Sequence, residues 1–260
     1  MKVLLIDADM LLFRWMSALS DNFCLGNEMW VWQCELDLVR RDFWGSMDEF
    51  QKKFETDKYF LCWTGPSAFR KRLFPDYKKS RKGSWKPPGY AHMKSELVRE
   101  INTSILHDEI EADDLLGILA DNVEETPVIV SGDKDLDQIP GEHYWPWKDD
   151  PHWIVSADKA CRMFWSQALS GDSTDSIPGC PGIGAVGAGR LVDSMEFDKP
   201  AECWDIVVNE YEKQMTKRNM EEDPESYALL NARCVRILRG SEYDFKNRTV
   251  DLWTPPTLTF

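Results

Sequence analysis

The chain has 260 residues, 43% of them hydrophobic and 12% aromatic, which is ample for a sizeable core in one large domain or two unequal ones. Its seven cysteines contain no C-x-x-C pair, so neither a disulfide framework nor a zinc cluster is indicated and a reducing compartment fits best. The formal charge of −14 argues on average against nucleic acid as a partner, and no run approaches the ~20 apolar residues of a membrane span; the expectation is a soluble, cytoplasmic protein that is not exported.

Lys2 to Asp9 reads as a buried parallel strand that ends in carboxylates, with Leu11, Leu12, Trp15 and Met16 then at helical spacing. Acids at the carboxyl end of a central strand stand where open α/β sheets place their sites; the alternative is that Asp7 merely caps the helix. Residues 20 to 57 say less: a strand-like Trp30-Val-Trp32 and a helix from Met47 to Phe54. A second strand, Tyr59 to Trp63, leads into a basic stretch, and a helix over His92 to Leu106 is predicted from Met93, Leu97 and Ile101 on one face. Glu111 opens an amphipathic helix, with Ala112, Leu115, Leu116 and Leu119 on its apolar face. Dipole compensation accounts for one or two acids in its first turn, but not for Asp113 and Asp114 side by side with Glu111.

Pro127 to Ser131 is a short strand that again ends in acids, Asp133 and Asp135. Trp145, Trp147 and Trp153 populate a loop of no evident purpose. Ser156 caps a predicted helix over Ala157 to Leu169, and helices around Ala201 to Met215 and Glu225 to Leu238 follow. Between them, Asp172 and Asp175 precede a glycine-rich turn, Gly182-Ile-Gly184, that opens a small-residue helix through Val192. Unpaired N–H groups at such a helix start can hold a phosphate, although a surface cap is the plainer reading.

Charge is segregated. Arg70, Lys71, Arg72, Lys78, Lys79, Arg81, Lys82 and Lys86 face the single Asp76, whereas Glu196 to Glu225 carries ten acids and four bases. Tyr77 and Trp85 add aromatic faces among the cations, a combination suited to tracking a backbone and stacking bases. The candidate acids are Asp7, Glu111, Asp113, Asp114, Asp133, Asp135, Asp172 and Asp175. Eight converging carboxylates repel unless hard divalent ions are present, and oxygen-only ligation suits Mg²⁺ or Mn²⁺ in a two-metal phosphodiester hydrolysis. The four histidines are scattered, and no serine, cysteine or histidine constellation competes.

Five stretches, Val3 to Asp7, Phe69 to Arg81, Glu111 to Asp114, Ser131 to Leu136 and Gly171 to Gly184, resemble in order the motifs of the flap endonuclease/5′–3′ exonuclease family, to which the 5′-nuclease domain of bacterial DNA polymerase I and bacteriophage exonucleases belong. The resemblance implies an α/β, PIN-like nuclease domain with a parallel sheet over residues 1–155, a helical arch over about 66–106, and a helical region of helix–hairpin–helix type over 156–260. It makes the eight acids metal ligands and Lys78 and Arg81 the catalytic cations near the scissile phosphate. DNA contacts are then expected at Arg14, Arg70, Lys71, Tyr77, Lys79, Lys82, Gly182, Gly184 and Arg190. K⁺ held by main-chain carbonyls would implicate Leu169, Ser170, Pro178, Cys180 and Ile183. Two departures stand out: Trp63-Thr64-Gly65 where the family often has a further aspartate, and Val186 where it usually has a lysine.

The resulting expectation is a stand-alone, monomeric, Mg²⁺-dependent 5′ nuclease in a bacterial or phage-infected cell. It would act on 5′ flaps, nicked or gapped duplex and RNA–DNA primers in replication or repair. The alternatives are a PIN-type ribonuclease and a non-catalytic protein that binds DNA structures.

Overall fold

A computed structural model describes residues 1–81 and 83–255, so Lys82 lies outside the described residues. The chain forms two compact units. The first comprises residues 1–66, 84–133 and 141–153, and the second residues 67–83, 134–140 and 154–260.

In the first unit, β1 (Lys2–Asp7) runs straight into α1 (Ala8–Ala18), and a hairpin of β2 (Ser20–Cys24) and β3 (Trp30–Cys34) precedes α2 (Leu36–Phe54). That helix is longer than the expected Met47 to Phe54, because Val39 and Phe43 continue the stripe of Met47, Phe50 and Phe54 that it buries. β4 (Tyr59–Trp63) follows, and the chain passes through the four-residue α3 (Arg70–Leu73) of the second unit before returning with α4 (Tyr90–Glu100). The helix predicted to reach Leu106 stops at Glu100, and Ser104–Leu106 becomes strand β5, parallel to β4. A ladder to a strand some 40 residues away satisfies its backbone groups, and local periodicity cannot register that.

α5 (Ala112–Asn122), β6 (Thr126–Val130), β7 (Gly141–Tyr144) and β8 (His152–Val155) complete a sheet ordered β5-β4-β1-β6-β7-β8. β1 pairs in parallel with both β4 and β6. One face of these strands, with Leu4, Ile6, Leu61, Trp63, Val128 and Val130, is covered by α1, α2 and α4 through Leu11, Leu12, Phe43, Phe50 and Leu97. α5 packs on β1 and β4, with Leu115, Leu116 and Ile118 fully buried. Because the chain leaves β1 first toward β4 and later toward β6, the order reverses at β1, and the carboxyl ends of these strands carry Asp7, Thr64 and Ser131. The unexplained tryptophans serve this unit: Trp145 is buried and Trp147 stacks edge-on against Trp15.

The second unit holds α6 (Ala157–Ser170), α7 (Ala185–Val192), α8 (Pro200–Lys217) and α9 (Pro224–Val235), with a two-residue pair, β9 (Tyr243–Asp244) and β10 (Thr249–Val250), after them. Phe164, Trp165, Leu169, Val207, Tyr211 and Ala232 form its core. The segment 67–83 and the acid-bearing 134–140 belong to the second unit, whereas α4 is a packed element of the first.

The turn after α6 is unusually tight. Gly171 and Gly179 both adopt φ +68°, and a Cβ on Gly179 would stand 2.3 Å from the Gly171 amide nitrogen. Asp172 and Ile177 exchange backbone hydrogen bonds inside it, and the Gly179 N–H donates to Asn231 Oδ1 at 2.9 Å. Gly179→Ala should therefore lose more than about 2 kcal/mol in a urea unfolding series. Gly45→Ala, in the open middle of α2, should instead gain about 0.5–1 kcal/mol.

Candidate metal and phosphate site

Five of the eight acids lie in the first unit. Asp7 ends β1 almost wholly buried; its Oδ1 accepts the Met10 N–H at 3.0 Å, capping α1, and its Oδ2 accepts the Ser131 hydroxyl at 2.9 Å. Burial pushes its carboxyl up to about 7, the charges of Asp9 and Asp133 push the same way, and the two hydrogen bonds oppose them. Capping is thus real but insufficient: the carboxylate is short of positive charge.

Glu111 and Asp114 form a reciprocal capping box at the start of α5, where the Glu111 N–H donates to Asp114 Oδ2 at 3.1 Å. Asp113 takes no part in that box. Together with Asp7 it bears on the buried Cys62 thiol of β4, which burial first and these two charges second hold well above its ordinary pKa. Asp133 is placed by its own N–H, which donates to Ser131 Oγ at 3.1 Å.

The other three acids lie in the second unit. Asp135 accepts the Gln167 side-chain amide at 2.9 Å, and Asp172 Oδ1 accepts the Thr174 N–H at 2.8 Å. Asp175 is gripped by the basic stretch. Arg81 reaches its Oδ1 at 2.6 Å, the Lys78 ammonium is 3.6 Å from Oδ2, and the Tyr77 hydroxyl donates to Oδ2 at 3.2 Å. Main chain joins in: the Lys78 N–H donates to the Asp175 carbonyl at 2.8 Å, and the Ser80 hydroxyl to the Thr174 carbonyl at 2.8 Å. Lys78 (φ +55°) and Ser176 (φ +62°) hold left-handed conformations to make this clasp.

Several expected nucleic-acid contacts are placed otherwise. Arg70 is buried, and its guanidinium donates to the carbonyls of Cys234 at 2.8 Å and Arg236 at 2.5 Å. Tyr77 is buried rather than presented for stacking. Arg14 lies over the Trp147 ring at 3.9 Å, half-buried. Lys71, Lys79, Gly182, Gly184 and Arg190 are exposed. Of the carbonyls expected around K⁺, those of Leu169 and Cys180 already accept the N–H groups of Cys180 and Ile183, at 2.7 and 3.0 Å. Leu169 and Cys180 are buried, Ser170 and Ile183 half-buried, and Pro178 exposed.

Sequence reasoning missed Ser131, Tyr90, Lys94 and Arg218. The Lys94 ammonium donates to Asp9 at 2.6 Å, and Tyr90 and Lys94 are four apart on α4, a spacing that could have flagged them. The Arg218 guanidinium lies where a Cβ on Gly182 would be, 1.9 Å from it, which no local signal announces.

All eight candidates are hard oxygen donors, and Asp7 is a buried acid crowded by like charge, so the set fits a divalent cation in chemistry. Among the described residues, no three His, Cys, Asp or Glu side chains are drawn together around one point.

Residues 2–163 match the family described as the 5′-3′ exonuclease, N-terminal resolvase-like domain. An exodeoxyribonuclease of Enterobacteria phage T3 is 28% identical over 295 residues, covering 97% of this chain and 93% of its own length. A flap endonuclease Xni of Shewanella pealeana is 33% identical over 147 residues, covering 51% of this chain and 57% of that protein. In fold, the chain is similar to a T5 protein co-crystallised with metal ions, with a TM-score of 0.64, 14% identity and coverage of 90% of this chain and 89% of that one. A T5 flap endonuclease crystallised with DNA and metal ions gives 0.57 at 15% identity, over 90% of this chain and 93% of that one.

The Asp7 geometry has a measurable consequence. Its folded pKa lies above the ordinary 3.8, so its ionisation opposes folding, and the metal-free chain loses stability as pH rises from about 4 through about 7. Asp7→Asn should therefore be more stable than the parent in EDTA at pH 8, by on the order of 2–4 kcal/mol, and nearly equal to it at pH 4. Thermal unfolding at the two pH values measures this.

Proposed function

Because the chain belongs to the 5′-3′ exonuclease family, it is a nuclease that hydrolyses phosphodiesters, and we propose that it uses two Mg²⁺ ions to cut at the 5′ ends of flapped, nicked or gapped DNA and of RNA–DNA primers. The observation that carries the metal dependence is Asp7, buried at the carboxyl end of the central strand and short of positive charge. In this reading Asp7, Glu111, Asp113, Asp114 and Asp133 would be drawn together around one ion on its binding, and Asp135, Asp172 and Asp175 around the other. Divalent ions so bound supply hydroxide and offset the charge that develops on the phosphate.

The chain's own groups do the rest. Lys78 and Arg81 stand ready beside Asp175, and a substrate phosphate competes for them as the stronger bidentate partner. Ser131 and the Met10 N–H keep Asp7 oriented. The exposed Lys71 and Lys79, with Lys82, track the single strand. Gly182, Gly184, Arg190 and the added Arg218 face duplex phosphates, and the turn's carbonyls accept K⁺. No helix among the described residues is long and apolar enough to cross a membrane. We place the protein in the cytoplasm as a monomer.

With Mg²⁺ the protein should cleave a 5′-flap duplex and leave plain single-stranded RNA intact; the reverse preference points to a ribonuclease, and binding without cutting to a DNA-structure-binding protein. Asp172→Asn should lower single-turnover cleavage by a factor of about a thousand or more, with affinity in Ca²⁺ nearly unchanged.

A separate measurement divides the cations. Neutralising Lys71 and Lys79 should weaken binding and flatten its salt dependence by up to ~0.7 log units for each phosphate left without its counter-charge. Arg81→Ala should mainly slow cleavage at saturating enzyme. An equal ratio of weakened binding to slowed cleavage in both groups refutes the division.

A further inference from the structure

At the carboxyl ends of β1 and β4, Asp9 is held by three donors. The Thr64 N–H donates to its Oδ2 at 2.6 Å, and the Tyr90 hydroxyl and Lys94 ammonium donate to Oδ1 at 2.7 and 2.6 Å. Lys94 donates again to the Thr64 carbonyl at 2.8 Å and lies over the Trp63 ring at 5.5 Å. Thr64 in turn receives the Ala112 N–H on its hydroxyl at 3.2 Å. Both charged side chains are about one-fifth exposed. The cluster therefore ties together the ends of β1, β4 and α5, the elements that carry Asp7, Glu111, Asp113 and Asp114.

A brace of this kind needs no charge. Asp9 already has two neutral donors, and a neutral side chain at 94 could reach the Thr64 carbonyl at a lower desolvation cost than an ammonium. A unit negative charge on Asp9, two residues from Asp7 in the chain, with the unit positive charge of Lys94 paired to it at 2.6 Å, has an electrostatic result instead. Together they add no net charge beside the acids, but each alone changes the attraction for a divalent ion, and in opposite directions.

We propose that Asp9 and Lys94 are a paired positioning element that sets the divalent-ion affinity of the Asp7 acid set, Lys94 holding it down and Asp9 raising it. The proposal rests on the reading that Asp7 and its neighbours hold such an ion.

The test is a Mn²⁺ titration of the intact protein without nucleic acid, followed by electron paramagnetic resonance, with circular dichroism to confirm folding. Lys94→Met should tighten Mn²⁺ on the order of five-fold or more, and Asp9→Asn should weaken it on the same order. The double variant should return to within about two-fold of the parent. If both single variants shift affinity the same way, or neither shifts it, the cluster is only a brace and the proposal is wrong. Should Lys94→Met fail to fold, Lys94→Gln carries the same expectation. If Asp7→Asn binds Mn²⁺ as well as the parent does, the divalent site itself is misplaced and the proposal falls with it, a result distinct from matching single variants.

Discussion

A carboxylate buried at the end of a sheet strand has to find positive charge or keep its proton, and the first unit is arranged around that demand. Asp7 sits where three parallel strands present their carboxyl ends, under helices on both faces. Two hydrogen bonds orient it without neutralising it, and Asp9 and Asp133 raise the demand further. A buried carboxylate in this state is stabilised by whatever cation binds it, in proportion to the affinity.

The second unit answers the same constraint from within the chain. Asp175 is matched by Arg81, Lys78 and Tyr77, and the pairing is stiffened by the Lys78 N–H on the Asp175 carbonyl and the Ser80 hydroxyl on the Thr174 carbonyl. The glycine turn at 171–179 shapes the loop that carries Asp175, since only residues without a Cβ allow the two ends of that turn to approach so closely. The cations that the resemblance assigns to a phosphate and an acid it assigns to a metal thus hold each other in this structure. Ligand binding at either has to break a pairing that already exists.

Cation count alone was a poor guide to surface. Arg70 and Tyr77 sit in the densest basic stretch of the sequence, yet both are buried, Arg70 because two backbone carbonyls near the end of α9 need donors. Conversely, Arg218 lies far along the acidic half and still meets the Gly182 turn. Partners such as these are set by chain segments more than a hundred residues apart, or by the turn of a helix end, and neither leaves a local pattern.

Much was legible from residues alone. The apolar runs before Asp7 and Ser131, the stripe of α5, and the Ser156 cap of α6 each follow from side-chain spacing or from a cap that acts within a few residues, so their elements appear where local chemistry puts them. The family, too, was readable, because five motifs of fixed chemistry recur in order. Tertiary structure alone decided that Ser104–Leu106 pairs with β4, that Glu111 and Asp114 form the capping box of α5 while the charge of Asp113 is felt by the buried Cys62, and that Lys94 reaches Asp9 across two elements. Local spacing reports which face of an element is apolar. Which polar group meets which depends on how those faces stack, and that is a property of the packed chain.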